Sequence, residues 1–259
     1  LPAETLPTDV LVDRVARLLA DGAVVGWLEG RMEFGPRALG HRSILADPRR
    51  LDMQSRVNQK IKFREGFRPF APAVPVEEVG AWFQIDRPSP YMLLVVPLAE
   101  WHRKPPQPDD AARTFFDRLW IDRSTIPAVT HVDFSARVQT VSAEDHPRFH
   151  ALLRAFQART SCPILLNTSF NLKDEPIVCT PLDACHTFLA SGMDALVLED
   201  RLILRPADRP PTGKLPARPP PPREVPDRHL QTFGVGGGLI LSCLAALRSE
   251  ERRVGKEGR

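Results

Sequence analysis

Short apolar runs alternate with segments of helical periodicity along most of this chain. Each run is short enough for a buried strand, whereas the helical segments place apolar residues three and four positions apart, as in Val12, Val15 and Leu19. This alternation predicts an α/β (or α+β) fold with one twisted, mostly mixed β-sheet flanked by helices. The predicted strands are 23–29, 92–98, 136–141, 163–169, 194–199 and 201–205, and the predicted helices are 9–21, 51–62, 76–83, 147–160 and 181–191.

Local signals mark the ends of the first and last helices. Thr8 and Asp9 are predicted to cap the first helix, and Thr180 is predicted to cap the last one. The strand predicted after the first helix runs directly into a Gly- and Arg-rich segment that begins at Gly30. Because α/β folds bind ligands at strand ends, we expect this segment to form part of a binding site.

The 259 residues, 42% of them hydrophobic, are enough for one domain with a buried core. We place that domain at residues 9–206. Residues 1–8 are interpreted as a linker from a domain that lies upstream, since the chain begins with Leu1 rather than Met. Residues 207–259 begin with a Pro-rich, basic stretch and are predicted to form a disordered tail, of which the part after about residue 225 is expected to be non-native.

Composition excludes several functional classes. A net charge of +3 is too small for the overall field to attract a polyanion, so no nucleic-acid partner is expected. No apolar stretch is long enough for a spanning helix, and no membrane partner is expected. The four cysteines form no CxxC pair, and His146 and His150 lack an HExxH context, so no metal site is expected. The free thiols and the lack of a signal peptide predict a cytoplasmic protein.

Positive charge is concentrated in residues 30–68. This segment carries ten cationic residues against four acidic ones, Glu33, Asp47, Asp52 and Glu65. A solvated surface would explain an ordinary run of charges. Here, however, the charges alternate with Gly, Pro and large apolar residues that set turns or pack. The cationic residues are Arg31, Arg37, Arg42, Arg49, Arg50, Arg56, Lys60, Lys62, Arg64 and Arg68.

Three of these cations suit a small phosphorylated substrate. An arginine fork binds two phosphate oxygens at once, and lysine supplies a compact charge. We therefore predict that Arg37, Lys62 and Arg68 bind phosphate and take part in catalysis. The chain contains neither GxxxxGK[ST] nor GxGxxG, so any nucleotide is bound by another kind of loop.

A second polar cluster follows the predicted strand 163–169. It comprises Asn167, Thr168, Ser169 and Asn171, and Arg137 precedes it along the chain. Hydroxyl and amide groups at a strand end can bind phosphate or orient a nucleotide. An ordinary hydrogen-bonded turn explains the NTSFN sequence equally well.

Four motifs in this order resemble the C-terminal, YrdC-like domain of the NodU/CmcH-type carbamoyltransferases. They are GRMEFGPRALGHRSILADP, KFREGFRPFAPAV, ARVQTV and ILLNTSFNLKDEPIVCTPLDA, and the resemblance covers about residues 10–206. The long first motif is far more specific than any single triplet.

The resemblance implies a domain that condenses carbamoyl phosphate with ATP, in the presence of Mg2+, to form carbamoyl adenylate and pyrophosphate. A separate N-terminal transfer domain of actin-like ATPase fold, in which Fe2+ is expected, would then move the carbamoyl group onto a hydroxyl-bearing natural product or sugar, as in antibiotic biosynthesis. The residues implied to contact carbamoyl phosphate or the nucleotide are Arg37, Lys62, Arg68, Arg137, Asn167, Ser169 and Asn171.

Two positions depart from the family pattern. Asp174 stands where the family usually has glycine, and Gly66 replaces a bulkier residue or proline. If the turn at residue 174 needs a positive φ, aspartate tolerates it at modest cost, so we expect altered loop geometry rather than loss of activity.

Two alternatives remain open. The first is a related adenylating enzyme that makes threonylcarbamoyl adenylate for tRNA modification, although the order of the motifs favours carbamoyl transfer. The second is a non-catalytic RNA-binding module that uses the basic segment and its aromatic residues.

Overall fold

The computed structural model describes residues 2–106, 110, 113–114, 117–206, 208 and 210–213. Most of the segment predicted to be a disordered tail, including everything after residue 213, lies outside the described residues. Within the described part of the chain, no helix is both long and apolar enough to cross a bilayer.

Ten strands form the β-structure of the described residues. Eight of them make one sheet in the order β1-β10-β9-β2-β3-β8-β4-β7, and the other two, β5 and β6, pair as an antiparallel ribbon. The strands are β1 (Ala3–Thr5), β2 (Val25–Leu28), β3 (Arg42–Ala46), β4 (Ala71–Pro75), β5 (Val95–Pro97), β6 (Ser135–Arg137), β7 (Gln139–Val141), β8 (Leu165–Ser169), β9 (Ala195–Leu198) and β10 (Arg201–Leu204).

The large sheet is mixed. β2 runs parallel to β9, and β4 runs parallel to β7, whereas the other neighbouring strands are antiparallel. The predicted α/β class and mixed sheet are therefore confirmed. The two central antiparallel neighbours β3 and β8 begin or end beside the polar segments identified above, and this pairing places those segments at the same edge of the sheet.

Five α-helices accompany the sheet in the described residues. α1 and α4 pack closely together, and α5 packs against β2 and β9. Burial of Leu11, Val15 and Leu19 on α1 and of Phe149 and Phe156 on α4 joins this helix pair to the core. The helices are α1 (Thr8–Ala20), α2 (Met53–Lys60), α3 (Val79–Trp82), α4 (Pro147–Thr160) and α5 (Pro181–Ala190).

The two predicted helix caps have different outcomes. Thr180 caps α5 as predicted, because its hydroxyl accepts a hydrogen bond from the Asp183 backbone N–H in a capping box. The prediction for α1 is wrong. Pro7 occupies its N-cap position, Thr8 is already helical, and no side-chain cap hydrogen bond forms.

Two apolar or alternating segments differ from their predictions. The run 92–98 forms only a short strand whose surface is largely exposed, with Leu93 76% exposed, so its predicted burial is wrong. The predicted strand 136–141 divides at Val138. Its first half pairs with β5 and its second half pairs with β4. Between the two halves, the Val138 N–H donates to the backbone carbonyl of Leu94, the residue before β5.

Residues 3–5 lie inside the segment interpreted as a linker, yet they form β1 at the edge of the large sheet. They pair antiparallel with β10, and Ala3 faces Ile203 in this register. The body of the sheet therefore includes residues before the predicted domain boundary.

Candidate active site

The connection between β2 and β3 carries Arg37 on a turn whose backbone is held by a buried carboxylate. The buried carboxylate of Glu33 accepts hydrogen bonds through Oε1 from the backbone N–H groups of Leu39 (2.6 Å), His41 (2.8 Å) and Arg42 (3.2 Å). Gly40 has φ +115, and a Cβ at this position would lie 2.5 Å from Cδ1 of Phe149. Glycine is thus required both by the backbone conformation and by the close approach of the core.

The segment between α2 and β4 is anchored by a buried asparagine. Asn58 Nδ2 donates to the backbone carbonyls of Gly66 (3.0 Å) and Arg68 (2.9 Å), and its Oδ1 accepts from Nε of Arg64 (2.6 Å). This side chain from α2 therefore sets the path of the whole KFREGFR motif and orients one of its arginines.

Lys62 in this motif points inward to the end of β8. Its side chain is 3% exposed, and Nζ donates to Oδ1 of Asn171 (2.6 Å) and to the backbone carbonyls of Asn171 (3.0 Å) and Ser169. The Ser169 hydroxyl lies 3.3 Å from the same nitrogen and donates to Oδ1 of Asn171 (2.8 Å). Lys62, Ser169 and Asn171 are thus one connected polar network.

The environment of Lys62 opposes a positive charge and at the same time provides acceptors for it. Burial, followed by the nearby positive charge of Arg64, lowers the Lys62 pKa well below its ordinary value. The surrounding oxygen atoms favour the ammonium form, so the geometry is that of a lysine that organises the end of β8.

A cavity of about 130 Å³, here named the arginine cavity, opens beside this network. Arg37, Arg64 and Arg137 contribute to its wall, together with Asn167 and Ser169 from β8. Burial and the charge of Arg37 lower the Arg137 pKa, and burial and the charge of Arg68 lower the Arg64 pKa. Because arginine stays protonated in proteins, the three side chains form a repulsive cluster that an anion would relieve.

A second cavity of about 220 Å³, the lysine cavity, shares Arg64 and Ser169 with the first. Its wall also includes Lys62, Arg68 and Asn171. Arg68 is exposed and forms an ion pair with Glu65 at 2.9 Å. The two cavities together offer adjoining positions for two parts of one anionic ligand or for two ligands.

All seven predicted site residues contribute to these two cavities. Arg37, Arg137 and Asn167 line the arginine cavity, Lys62, Arg68 and Asn171 line the lysine cavity, and Ser169 lines both. Arg64 and Asn58, which accepts a hydrogen bond from Arg64, are not among the predicted site residues. The spacing of Lys62 and Arg64, two residues apart in a loop, was the available signal that two cations of this motif could serve one site.

Other cations of the basic segment support the fold instead. Arg42 is buried, and its guanidinium donates to the backbone carbonyls of Glu29, Gly30 and Cys179. Arg49 pairs with Asp47 at 2.7 Å, and Arg56 pairs with Asp194 at 2.7 Å. Part of the excess positive charge in this segment is therefore paired within the fold.

Of the two departures from the family pattern, Asp174 lines the lysine cavity, and Gly66 lies in the chain between Arg64 and Arg68, which also line it. Asp174 has φ +62, the left-handed conformation expected for a glycine position, and its side chain contributes to the cavity wall. A Cβ at Gly66 would lie 2.9 Å from Nε2 of Gln59 and 3.1 Å from Cη2 of Trp120. Glycine at 66 thus leaves room for these two side chains.

Comparison with known protein families decides the membership of this chain. The family model described as carbamoyltransferase C-terminus matches residues 16–205. The chain belongs to the carbamoyltransferase C-terminus family. Both cavities are built by residues inside the matched region, so the candidate site belongs to the part of this carbamoyltransferase domain that the family shares.

Similar proteins include enzymes and nodulation proteins. An uncharacterized protein of Synechocystis sp. is 55% identical over 197 residues, which are 76% of this chain and 32% of that protein. Nodulation protein NolNO of Sinorhizobium fredii is 44% identical over 198 residues, 75% and 26% of the two chains. A 3'-hydroxymethylcephem-O-carbamoyltransferase of Amycolatopsis lactamdurans is 38% identical over 188 residues, 73% and 32% of the two chains. The chain thus spans a third or less of the length of these relatives.

Proposed function

We propose that this domain binds carbamoyl phosphate and ATP and joins the carbamoyl group to AMP, with release of pyrophosphate. The observation that carries the proposal is the arginine cavity, in which three guanidinium groups line a small space. One relative in this family is an O-carbamoyltransferase. We therefore propose that the whole protein goes on to transfer the carbamoyl group to a hydroxyl.

The charges of the site support a ligand with several phosphate oxygens. Among the described residues, no carboxylate lines the arginine cavity, and neither Arg37 nor Arg137 forms an ion pair. A bidentate arginine–phosphate contact supplies both charge and orientation. Carbamoyl phosphate is small enough to place its phosphate among these groups, and the adjoining lysine cavity would receive part of the ATP triphosphate.

The reaction proceeds in two balanced steps. Water first cleaves carbamoyl phosphate to carbamate and inorganic phosphate. A carbamate oxygen then attacks the α-phosphorus of ATP, the bond to the β-phosphate oxygen breaks, and pyrophosphate leaves. Arg64, which lines both cavities, is positioned to stabilise the negative charge that develops between the two substrates.

Magnesium enters this proposal only as the counter-ion of the ATP phosphates. Within the described residues, no group of three His, Cys, Asp or Glu side chains could hold a metal ion. In this proposal the cations of the protein orient the phosphates and hold the carbamate near the α-phosphorus. For the whole protein, we propose that Fe2+ binds in the N-terminal transfer domain and not in this domain.

Pyrophosphate release by the full chain tests the proposal. With ATP, Mg2+ and carbamoyl phosphate, pyrophosphate and a product with the mass of carbamoyl adenylate should form, and omission of carbamoyl phosphate should abolish both. Arg137→Ala should lower the rate by about 100-fold, because it removes one charged donor from the phosphate position. Arg87→Ala is the matched control, since Arg87 is an exposed arginine outside both cavities.

Two results would replace the proposal by its alternatives. Pyrophosphate formed only from threonine, bicarbonate and ATP would identify a threonylcarbamoyl-adenylate synthase. Strong RNA binding that weakens steeply with salt and with Arg37→Ala, without any nucleotide turnover, would identify an RNA-binding module.

A further inference from the structure

A buried amide in the arginine cavity has one atom without a partner. Asn167 on β8 is 1% exposed and lines the cavity. Its Oδ1 accepts no hydrogen bond, and it is the one buried side-chain atom in this state among the described residues that line the cavity. A buried acceptor without a donor is unfavourable, so the position calls for a donor that the protein itself does not supply.

The orientation of this amide is fixed by its neighbours. Gln139 Nε2 donates to the Leu39 carbonyl at 2.6 Å, which makes Gln139 Oε1 an acceptor. Asn167 Nδ2 donates to that Oε1 at 2.7 Å and to the Ala38 carbonyl at 3.1 Å. Rotating the Asn167 amide by 180° would set its oxygen against two acceptors. The opposite end of the planar group is therefore an oxygen in any satisfied arrangement of the network.

We propose that Asn167 Oδ1 accepts a hydrogen bond from the NH2 of the carbamoyl group and thereby selects carbamoyl phosphate over acyl phosphates that lack this donor. The inference rests on the proposed function for the identity of the substrate. The remainder of the cavity is rich in donors, because Arg37, Arg64 and Arg137 all present guanidinium groups. Phosphate and carbonyl oxygens of the ligand are satisfied by such groups, whereas the carbamoyl NH2 needs an acceptor.

The hydrogen bonds of Asn167 and Gln139 also connect the proposed carbamoyl position to the β2–β3 connection, which carries Arg37. Ala38 and Leu39, whose carbonyls hold Asn167 and Gln139, directly follow Arg37 in the β2–β3 connection. A carbamoyl group bound to Asn167 would therefore be held at a fixed distance from the arginine that receives its phosphate. Asn167 is in this sense a specificity-determining residue, and Gln139 is a positioning residue for it.

A pair of stable phosphonates tests the selection directly. Phosphonoacetamide carries an NH2 where acetonylphosphonate carries a methyl group, and the two are otherwise alike in shape and charge. Calorimetric titration of the full chain should show phosphonoacetamide binding roughly 10- to 100-fold more tightly, as expected when a site loses a hydrogen bond to a buried polar group. In Asn167→Leu the difference should fall to roughly threefold or less.

Inorganic phosphate is the control ligand, because it reports the arginines and contains no NH2. If the Asn167→Leu variant still binds inorganic phosphate, its cavity is intact. A loss of its preference for phosphonoacetamide over acetonylphosphonate then supports the inference. If the variant does not fold, the wild-type preference for phosphonoacetamide decides alone. Equal binding of both phosphonates by the wild type would overturn the inference.

Two further outcomes separate this inference from others. If Asn167→Leu changes the preference for ATP over inosine triphosphate and leaves the phosphonate ratio intact, Oδ1 reads the adenine amino group and the inference is wrong. Selective phosphonoacetamide binding without pyrophosphate release would support the inference while refuting the proposed adenylation. Pyrophosphate release without selective phosphonoacetamide binding would support the proposed adenylation and refute the inference about Asn167.

Discussion

The arginine cavity and the lysine cavity share Arg64 and Ser169 but differ in whether their cations have partners within the protein. In the lysine cavity, Nζ of Lys62 is surrounded by oxygen atoms of Ser169 and Asn171, and Arg68 is paired with Glu65. In the arginine cavity, Arg37 and Arg137 have no carboxylate partner among the described residues and repel each other. Cations satisfied by the protein hold a site together, whereas cations left unsatisfied create affinity for an anionic ligand. The following substitutions test that division.

Lys62→Met should have the largest effect, because it removes the centre of the network at the end of β8. The oxygen atoms of Ser169 and Asn171 would lose their shared donor inside the protein. We expect pyrophosphate release to fall at least ~100-fold and the free energy of unfolding to fall by about 1–3 kcal/mol. Activity assays and chemical denaturation measure the two effects, and full stability of the variant would contradict the organising role.

The pH dependence of stability provides a second test of Lys62. Its pKa in the folded protein lies below the ordinary value of 10.5, so the unfolded chain binds more protons between the two values. The contribution of Lys62 to stability is therefore fully present above pH 10.5 and is lost as pH falls through the folded pKa. Denaturation of the wild type across this window should show a rise with pH that Lys62→Met lacks.

Arg137→Ala should separate activity from stability. Pyrophosphate release should fall by roughly 100-fold, since one phosphate ligand is lost, whereas the free energy of unfolding should change by no more than about 0.5 kcal/mol or increase slightly, since repulsion with Arg37 is relieved. A pyrophosphate-release assay measures the activity, and thermal melting with and without inorganic phosphate measures stability and phosphate binding. Stabilisation by phosphate should be lost in this variant and kept in Arg87→Ala. A large loss of stability would show that Arg137 is a structural cation like Lys62.

Arg68→Ala should have a moderate effect on activity, about 3- to 10-fold, because its side chain is exposed and already paired with Glu65. Glu65→Ala is the informative partner variant. It leaves Arg68 without its carboxylate, and phosphate binding should then strengthen rather than weaken. A loss of binding in Glu65→Ala would mean that Glu65 orients Arg68 toward the ligand.

Asp174→Gly should have the smallest effect. Glycine adopts the positive φ of residue 174 without the steric cost of a Cβ, so we expect a gain of about 0.5 kcal/mol in the free energy of unfolding and little change in activity. Asp174→Ala is the control, since it removes the carboxylate but keeps the Cβ, and it should not be stabilised. Denaturation curves of the three proteins distinguish backbone strain from charge.

Sequence patterns predicted the elements whose signals are local. α4 was predicted to the residue at both ends, and α5 to within one, because Pro147 and the Thr180 cap mark their beginnings. β3 was not predicted, since Arg42 and Ser43 interrupt its apolar pattern, and only tertiary contacts show that backbone carbonyls satisfy the buried guanidinium. The exposure of β5 has a similar cause. An apolar run does not specify which surface, if any, covers it.

The seven residues predicted as a site all line the two cavities, and their part in ligand binding stays a prediction. Interleaved cations indicated Arg37, Lys62 and Arg68, polar groups at a strand end indicated a second cluster that an ordinary turn explains equally well, and the family resemblance supplied the full set of seven. The pairing of β3 with β8 brings the β2–β3 connection and the end of β8 to the same end of the sheet. The sequence could not show which cations form hydrogen bonds within the fold and which face a cavity. Arg37 and Arg42 stand in the same motif, and only the hydrogen bonds of Arg42 show that it binds backbone rather than ligand.

The edge strand β1 has a consequence for how this protein behaves in solution. Its three residues cover the outer backbone of β10, the strand next to the edge of an eight-stranded sheet. A chain that begins at residue 9 would expose the N–H and C=O groups along Arg201–Leu204, and such a row pairs readily with other chains. Trimming this short segment would therefore favour self-association and loss of material by aggregation, even though both cavities lie elsewhere in the sheet.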